Sequence, residues 1–300
     1  MATPTFEEIE VKSVINRVNA PLLPFRWTIN PYRGCQHACT YCFARNTHTY
    51  LGYDAGKDFN ERIVVKVNAP EVLRRELGRP RWKREFIALG TACDPYEPAE
   101  RNYLLTRRIL QTLRDFANPA GITTKSNLVT RDIDVLRELS EVTSVSVNFS
   151  ISTLREDIWR RIEPGTPKPI KRLQAMEQLS RAGIRTGVLL APILPGLTDS
   201  EENLEEVVRE AAQRGAHYIA PNVLHLKPGA REWFLPFLRE SYPHLTPQYQ
   251  RLYRRGAYAP RAYTEGVVGL VQRLRERWGL VGRDTATRQV RLGSQLSLGL

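Results

Sequence analysis

Residues 121–150 read GITTKSNLVTRDIDVLRELSEVTSVSVNFS, and this stretch decides the fold class. Gly121–Ser126 and Val142–Ser150 are short runs rich in β-branched residues. Between them Arg131–Glu141 places Ile133, Val135, Leu136 and Leu139 at helical spacing, with Thr130 or Arg131-Asp132 opening the helix. A strand, a helix and a strand in so few residues form one crossover unit of a parallel sheet. The pattern continues on both sides. Further strands are expected at Trp27–Asn30, Glu85–Gly90, Arg185–Ala191 and Ala216–Asn222. Helices are expected near Pro98–Phe116, Lys168–Ala182 and Ser200–Arg214, the last with acids at its start and Gly215 at its end. Arg62–Val67 reads as a seventh, accessory strand. The expectation is α/β, with six parallel strands in an open doubly wound sheet or a barrel. In either, the carboxyl ends of the strands hold the site, and here they end in small or polar residues.

The 300 residues contain 42% hydrophobic and 25% charged side chains, which excludes disorder and low-complexity scaffolds. No window approaches 18 apolar residues, so no transmembrane helix is expected. The amino terminus lacks the pattern of a signal peptide, and a cytoplasmic location is expected. Net charge is +12, and 36 of the 44 basic residues are Arg. Arginine pairs with phosphate in a planar fork, which makes nucleic acid the first partner to consider; a compositional bias toward Arg is the alternative. From Arg251 to Arg291, ten Arg face three acids, interleaved with Tyr253, Tyr258, Tyr263 and Trp278. That density fits phosphate contacts with base stacking, or a basic helix whose aromatics form its buried stripe. Three segments are expected: a lead-in (1–27), a core (28–226) and a basic C-terminal extension (227–300).

Three of the four cysteines, Cys35, Cys39 and Cys42, fall within one loop after the first core strand; the fourth is Cys93. Too few for a disulfide framework, they read as metal ligands. A structural zinc site needs a fourth ligand, for which Cys93, His37 and His48 are available. An iron–sulfur cluster held by three thiolates, with one iron left free, is the other reading.

Cys35-x3-Cys39-x2-Cys42, with Tyr41 before the last cysteine, resembles the signature of the radical S-adenosylmethionine (SAM) enzymes. Asn30-Pro31-Tyr32-Arg33-Gly34, Phe43-Ala44-Arg45, Asp94-Pro95-Tyr96-Glu97-Pro98, Thr124-Lys125-Ser126 and Glu163-Pro164-Gly165-Thr166-Pro167 are similar to the spore-photoproduct-lyase-like branch. The resemblance runs from about Thr28 to Leu226. It implies a partial (β/α)6 TIM-type barrel, a 4Fe–4S cluster on the three cysteines, SAM on the free iron, and an electron donor such as a ferredoxin or flavodoxin. It further implies Tyr41 against adenine, Lys125 on the methionyl carboxylate, Ser150 at the ribose, Ala191 at adenine and Asp94 at the SAM amino group. Asp94 and Ser150 also have capping readings.

In that branch the lyase repairs a thymine dimer in DNA and returns a hydrogen atom through a cysteine–tyrosine relay. Cys93 is the candidate thiol, with a small buried hydrophobe as its alternative. The position of the family tyrosine is Phe43, which has no hydroxyl hydrogen to give. Three functions remain open: a radical SAM enzyme on nucleic acid, one on a protein or small molecule, and a zinc-stabilised nucleic-acid-binding protein. Tyr96 and Glu97 are expected at the substrate rim, while Arg161 and Glu163 flank a rigid turn.

Overall fold

The computed structural model describes residues 3–19 and 23–280. The chain opens with β1 (Thr5–Ile9), β2 (Asn16–Arg17), β3 (Trp27–Ile29) and β4 (Tyr32–Arg33). A 3₁₀ segment, Phe43–Leu51, and α1 (Lys57–Glu61) precede β5 (Arg62–Lys66). Then follow α2 (Ala69–Leu77), β6 (Ile87–Leu89), α3 (Glu100–Tyr103), α4 (Leu105–Asp115) and β7 (Ala120–Thr124). A 3₁₀ turn over Asn127–Asp132 runs into α5 (Ile133–Val142), followed by β8 (Val145–Ser150), α6 (Glu156–Ile162) and α7 (Pro169–Arg181). The core closes with β9 (Arg185–Ile193), α8 (Glu201–Gln213) and β10 (Tyr218–Val223). Beyond it lie α9 (Ala230–Ser241), α10 (Thr246–Leu252) and α11 (Arg261–Arg277).

The main sheet runs β10-β9-β8-β7-β6-β3-β2. Every pairing from β3 to β10 is parallel, and only β2 lies antiparallel, against β3. The six expected strands form this α/β sheet, which is open rather than closed, as in a partial TIM-type barrel. Alternation decides the faces: Val145, Val147 and Phe149 of β8 are buried, while Ser146 and Asn148 are half-buried. In α4, Leu105, Ile109, Leu110 and Leu113 supply the buried stripe. The register sets Leu89 beside Ile122, Thr124 beside Phe149, and Ser150 beside Leu189. Gly90, Lys125, Ser150 and Ala191 therefore emerge along one edge. Gly90 has φ +91°, and a Cβ there would lie 2.1 Å from the Thr123 carbonyl, so the exit from β6 requires glycine.

The accessory strand expected over Arg62–Val67 is present as β5, the centre of a second sheet, β1-β5-β4, that recruits the lead-in. Two features depart from the sequence expectation. The helix expected over Pro98–Phe116 breaks at Leu104, whose φ is +56°. The strand expected to end at Ala191 continues to Ile193.

In the C-terminal extension Tyr249 and Tyr253 are buried in the main core with Phe234, Leu238, Val271 and Leu274. The Tyr253 hydroxyl donates to the Leu224 carbonyl (2.9 Å), and that of Tyr263 to Asp199 (2.6 Å). These aromatics are packing residues rather than stacking platforms, whereas Arg251, Arg254 and Arg255 are exposed. Arg283, Arg288 and Arg291 lie outside the described residues. No helix among the described residues is long and apolar enough to cross a membrane.

Candidate active site

The cysteine loop leaves β4 through Gly34, at φ +81°, and coils on itself. Ala38 N donates to the Cys35 carbonyl (3.2 Å) and Cys42 N to that of Cys39 (3.4 Å). Two distant segments hold it. Cys35 N donates to the Phe59 carbonyl (2.8 Å), and Thr40 N to that of Ile162 (2.9 Å). Gly165 N donates to the His37 carbonyl (3.1 Å), and a Cβ on Gly165 would stand 2.1 Å from the Gln36 carbonyl. Only glycine lets the turn after α6 approach so closely.

Cys35 and Cys39 are buried, Cys42 is half-buried, and none forms a disulfide. The three thiols act on one another electrostatically: Cys42 and Cys35 both raise Cys39, and Cys35 raises Cys42. Burial is the larger cause pushing Cys39 and Cys42 up; Lys125 pulls both back, and Arg45 pulls Cys42 back. Cys93 is buried against Cys35, with its Sγ 2.8 Å from the Gly34 carbonyl. Its hydrogen bond to Cys35 holds Cys35 well below the usual thiol range, while burial keeps the proton on Cys93.

Three thiols on one loop, free of disulfides and facing cationic side chains, suit a thiolate-held cluster. A single zinc ion suits them less well. Among the described residues no three His, Cys, Asp or Glu side chains gather round one point. Of the fourth-ligand candidates, His48 Nε2 lies 2.9 Å from the Arg62 carbonyl and its ring packs against Phe59 and Tyr53. His37 Nδ1 lies 3.3 Å from Asp94 Oδ2. Burial pulls His37 down, but Cys35 and Asp94 outweigh it and push it up to about 10.

At the carboxyl ends of β7, β8 and β9, the expected SAM residues meet. Lys125 Nζ donates to Ser150 Oγ (2.5 Å), which donates to the Ala191 carbonyl (2.6 Å). The ammonium lies 5.7 Å from the centre of the Tyr41 ring and 4.0 Å from Glu163 Oε1. Tyr41 donates its hydroxyl to Glu163, and Arg172 donates to the other oxygen of the same carboxylate. Arg172 also donates to the Ser150 carbonyl (2.9 Å) and the Pro167 carbonyl (3.1 Å). Burial alone would raise Glu163, yet Arg172 and Lys125 hold it below the usual carboxylate range.

Asp94, expected at the SAM amino group, is held within the protein. Its Oδ1 accepts from Tyr96 N (2.9 Å) and Thr124 Oγ1 (2.7 Å), and its Oδ2 accepts from Lys125 N (2.6 Å) and lies 3.3 Å from His37 Nδ1. Three hydrogen bonds fix the carboxylate at the end of β7, beside the cysteine loop. Tyr96 and Glu97 are buried as well: the Tyr96 hydroxyl donates to Asp132 (3.1 Å), and Glu97 accepts from Gln36 Nε2 (3.2 Å). Glu97 is enclosed, whereas Tyr96 lines a pocket with His37, Ser126 and Gly165.

Sequence reading did not single out Arg172; it quoted Arg45 and Glu163 only within motifs and took Glu163 for a turn neighbour. In the structure the close approach at Gly165 ties that turn to the cysteine loop.

A family model described as the radical SAM superfamily matches residues 29–211. An uncharacterized protein of Mycobacterium tuberculosis is 43% identical over 279 residues, covering 93% of this chain and 82% of its own. Spore photoproduct lyase complexed with dinucleoside spore photoproduct superposes with TM-score 0.68 at 16% identity, over 91% of this chain and 79% of the lyase. A variant of that lyase with bound AdoMet and dinucleoside spore photoproduct gives TM-score 0.63 at 18% identity, over 87% and 78% of the two chains. The last two likenesses are of fold.

Proposed function

Because the chain belongs to the radical SAM superfamily and is a radical SAM enzyme, we propose that Cys35, Cys39 and Cys42 hold a 4Fe–4S cluster and that the substrate is a nucleic acid. The cluster held by these cysteines and SAM would together supply one-electron reductive cleavage of the sulfonium and, from it, radical hydrogen abstraction. The chain's own groups bind, orient and exclude water. Lys125 offers an ammonium to the methionyl carboxylate, a charge-assisted contact. Ser150 accepts from that ammonium and donates to the Ala191 carbonyl, tying the three strands together where they would meet the nucleoside. Tyr41, held in one orientation by Glu163 and with its ring 5.7 Å from the Lys125 ammonium, would lie against adenine. Cys93 keeps its proton where it lies buried beside Cys35.

The observation that carries this reading is the Lys125–Ser150–Ala191 chain across three strand ends beside the cysteine loop. Support for nucleic acid comes from the exposed Arg251, Arg254 and Arg255, and from the dinucleoside in the lyase of the same fold. A second reading, a protein or small-molecule substrate, is favoured by Phe43 and by the buried tyrosines of the extension.

The test is to reconstitute the chain anaerobically, reduce it with dithionite and follow 5′-deoxyadenosine from SAM. Brown protein that forms deoxyadenosine, with the product absent in Cys39→Ala, is expected. Irradiated and undamaged DNA in the same assay separate the two readings, since only a nucleic-acid enzyme changes turnover with DNA and loses the effect at high salt. Colourless protein that leaves SAM intact would overturn the cluster assignment.

A further inference from the structure

Arg45 is completely buried, and no carboxylate among the described residues lies within salt-bridge distance of it. Its Nε and Nη2 donate to the Cys39 carbonyl (3.3 and 2.9 Å), its Nη1 to the carbonyls of Ala55 (3.1 Å) and Gly56 (2.8 Å), and Nη2 also to Asn60 Oδ1 (3.0 Å). The guanidinium lies 5.1 Å from the centre of the Phe59 ring and 4.7 Å from that of Trp233. Every one of these partners is neutral. Arginine does not shed its proton in a protein, so the charge stays where burial disfavours it. Neutral hydrogen bonds satisfy the N–H groups and leave the charge itself unbalanced.

Burial lowers this group most; against it, Cys42, Cys39 and Cys35 as thiolates would act most strongly, in that order, ahead of Asp54. Asp54 is engaged elsewhere, accepting from Gly56 N (2.6 Å) and Asp58 N (3.3 Å). The chain thus holds a buried cation hydrogen-bonded to the Cys39 carbonyl of its cysteine loop, where the three thiols, as thiolates, would balance it.

On the cluster reading given above, we propose that Arg45 is the counter-cation of the three cluster thiolates and raises the potential at which the cluster accepts its electron. Reduction adds one negative charge and moves no bond or proton; the electron comes from a low-potential one-electron carrier. A fixed positive charge in a weakly polar interior favours the reduced state. Arg45 is a positioning residue by its bonds to Cys39 and an electrostatic one by its charge, and the two roles separate in variants.

The experiment uses the full chain, iron- and sulfide-loaded, without SAM. Wild type, Arg45→Gln and Arg45→Lys are titrated anaerobically with dithionite and mediators, and the reduced cluster is followed by electron paramagnetic resonance. In Arg45→Gln the reduced-to-oxidised ratio at a fixed potential falls about tenfold, equivalent to about 59 mV for one electron. Arg45→Lys keeps the charge, loses the fork, and stays close to wild type. If the glutamine variant cannot be loaded while the lysine variant can, the charge is required and the proposal stands. An unshifted glutamine variant, equal shifts in both, or failure of both to load overturns it in favour of the hydrogen bonds. Iron content and visible absorption of the wild type report separately on the cluster reading, so failure of that reading is distinguishable.

Discussion

Arg172 and Arg45 are buried to the same extent on two sides of one site, and their surroundings differ in the one respect that matters for a charge. Arg172 closes an ion pair with Glu163, which also takes the Tyr41 hydroxyl and faces Lys125. That assembly is complete within the protein. Arg45 meets carbonyl oxygens and two aromatic rings, and its balance lies with the thiols. On the proposed reading, the side that would orient the cofactor is thereby finished by folding, and the cysteine side by the cluster the cysteines would hold.

The largest effect should come from breaking the complete side. Arg172→Met leaves the Glu163 carboxylate buried without its partner and is expected to cost about 3–5 kcal/mol. Urea denaturation checks this, and the loss should be equal with and without iron. Arg45→Met, by contrast, should cost more in loaded than in iron-free protein, because only the loaded form gives the guanidinium a counter-charge. Iron dependence of the Arg172 effect would erase the distinction.

Lys66 is a third buried cation and sharpens the comparison, because lysine can lose its proton where arginine cannot. Its Nζ donates to the Asn30 carbonyl (2.8 Å), and burial, with Arg33 nearby and only Cys93 opposing, lowers its pKa to about 8. The folded value lies below the unfolded one, so the unfolded chain binds more protons between about pH 8 and 10.5. This lysine's cost is full below pH 8 and fades as pH rises through that window. Lys66→Met should gain about 3 kcal/mol near pH 7 relative to its standing at pH 10.5. Urea midpoints that keep a constant gap between wild type and Lys66→Met would mean that the burial of this ammonium is relieved by other means.

Tyr41→Phe removes one partner from Glu163 and leaves Arg172 in place. The expected cost is about 1–2 kcal/mol, with a larger KM for SAM and a smaller change in kcat. A structural role alone would change stability and leave KM untouched.

The six strands and the helices between them were legible because each carries its own period and punctuation, as Val145–Ser150 and Glu201–Gln213 do. The second sheet was not. β1 is almost wholly exposed and β4 has two residues, so neither has a hydrophobic period to read. The break at Leu104 adopts a left-handed backbone without glycine to announce it. In the site, the three cysteines and the strand-end residues Lys125 and Ser150 stood out by spacing and position. The partners that hold them did not, because their pairings span the chain: Tyr41 and Glu163 are 122 residues apart. Charge balance in a core is a property of three-dimensional neighbours, which is why Arg45 stood in a quoted motif without its burial or its partners being legible.

The exposed arginines supply the opposite limit and the smallest effect on the fold. Arg254 and Arg255 follow α10 on the surface and make no ion pair among the described residues. Water already balances their charge, so the double variant Arg254→Ala, Arg255→Ala should leave the unfolding midpoint unchanged. Their consequence should appear only with a polyanion. If both meet phosphates, the slope of log affinity against log salt falls by about 2 in the double variant, measured by fluorescence anisotropy on duplex DNA. An unchanged slope would assign these arginines to the general positive charge of the chain. The distinction between buried and exposed arginine would then hold for stability alone, and the substrate would have to be sought among proteins and small molecules.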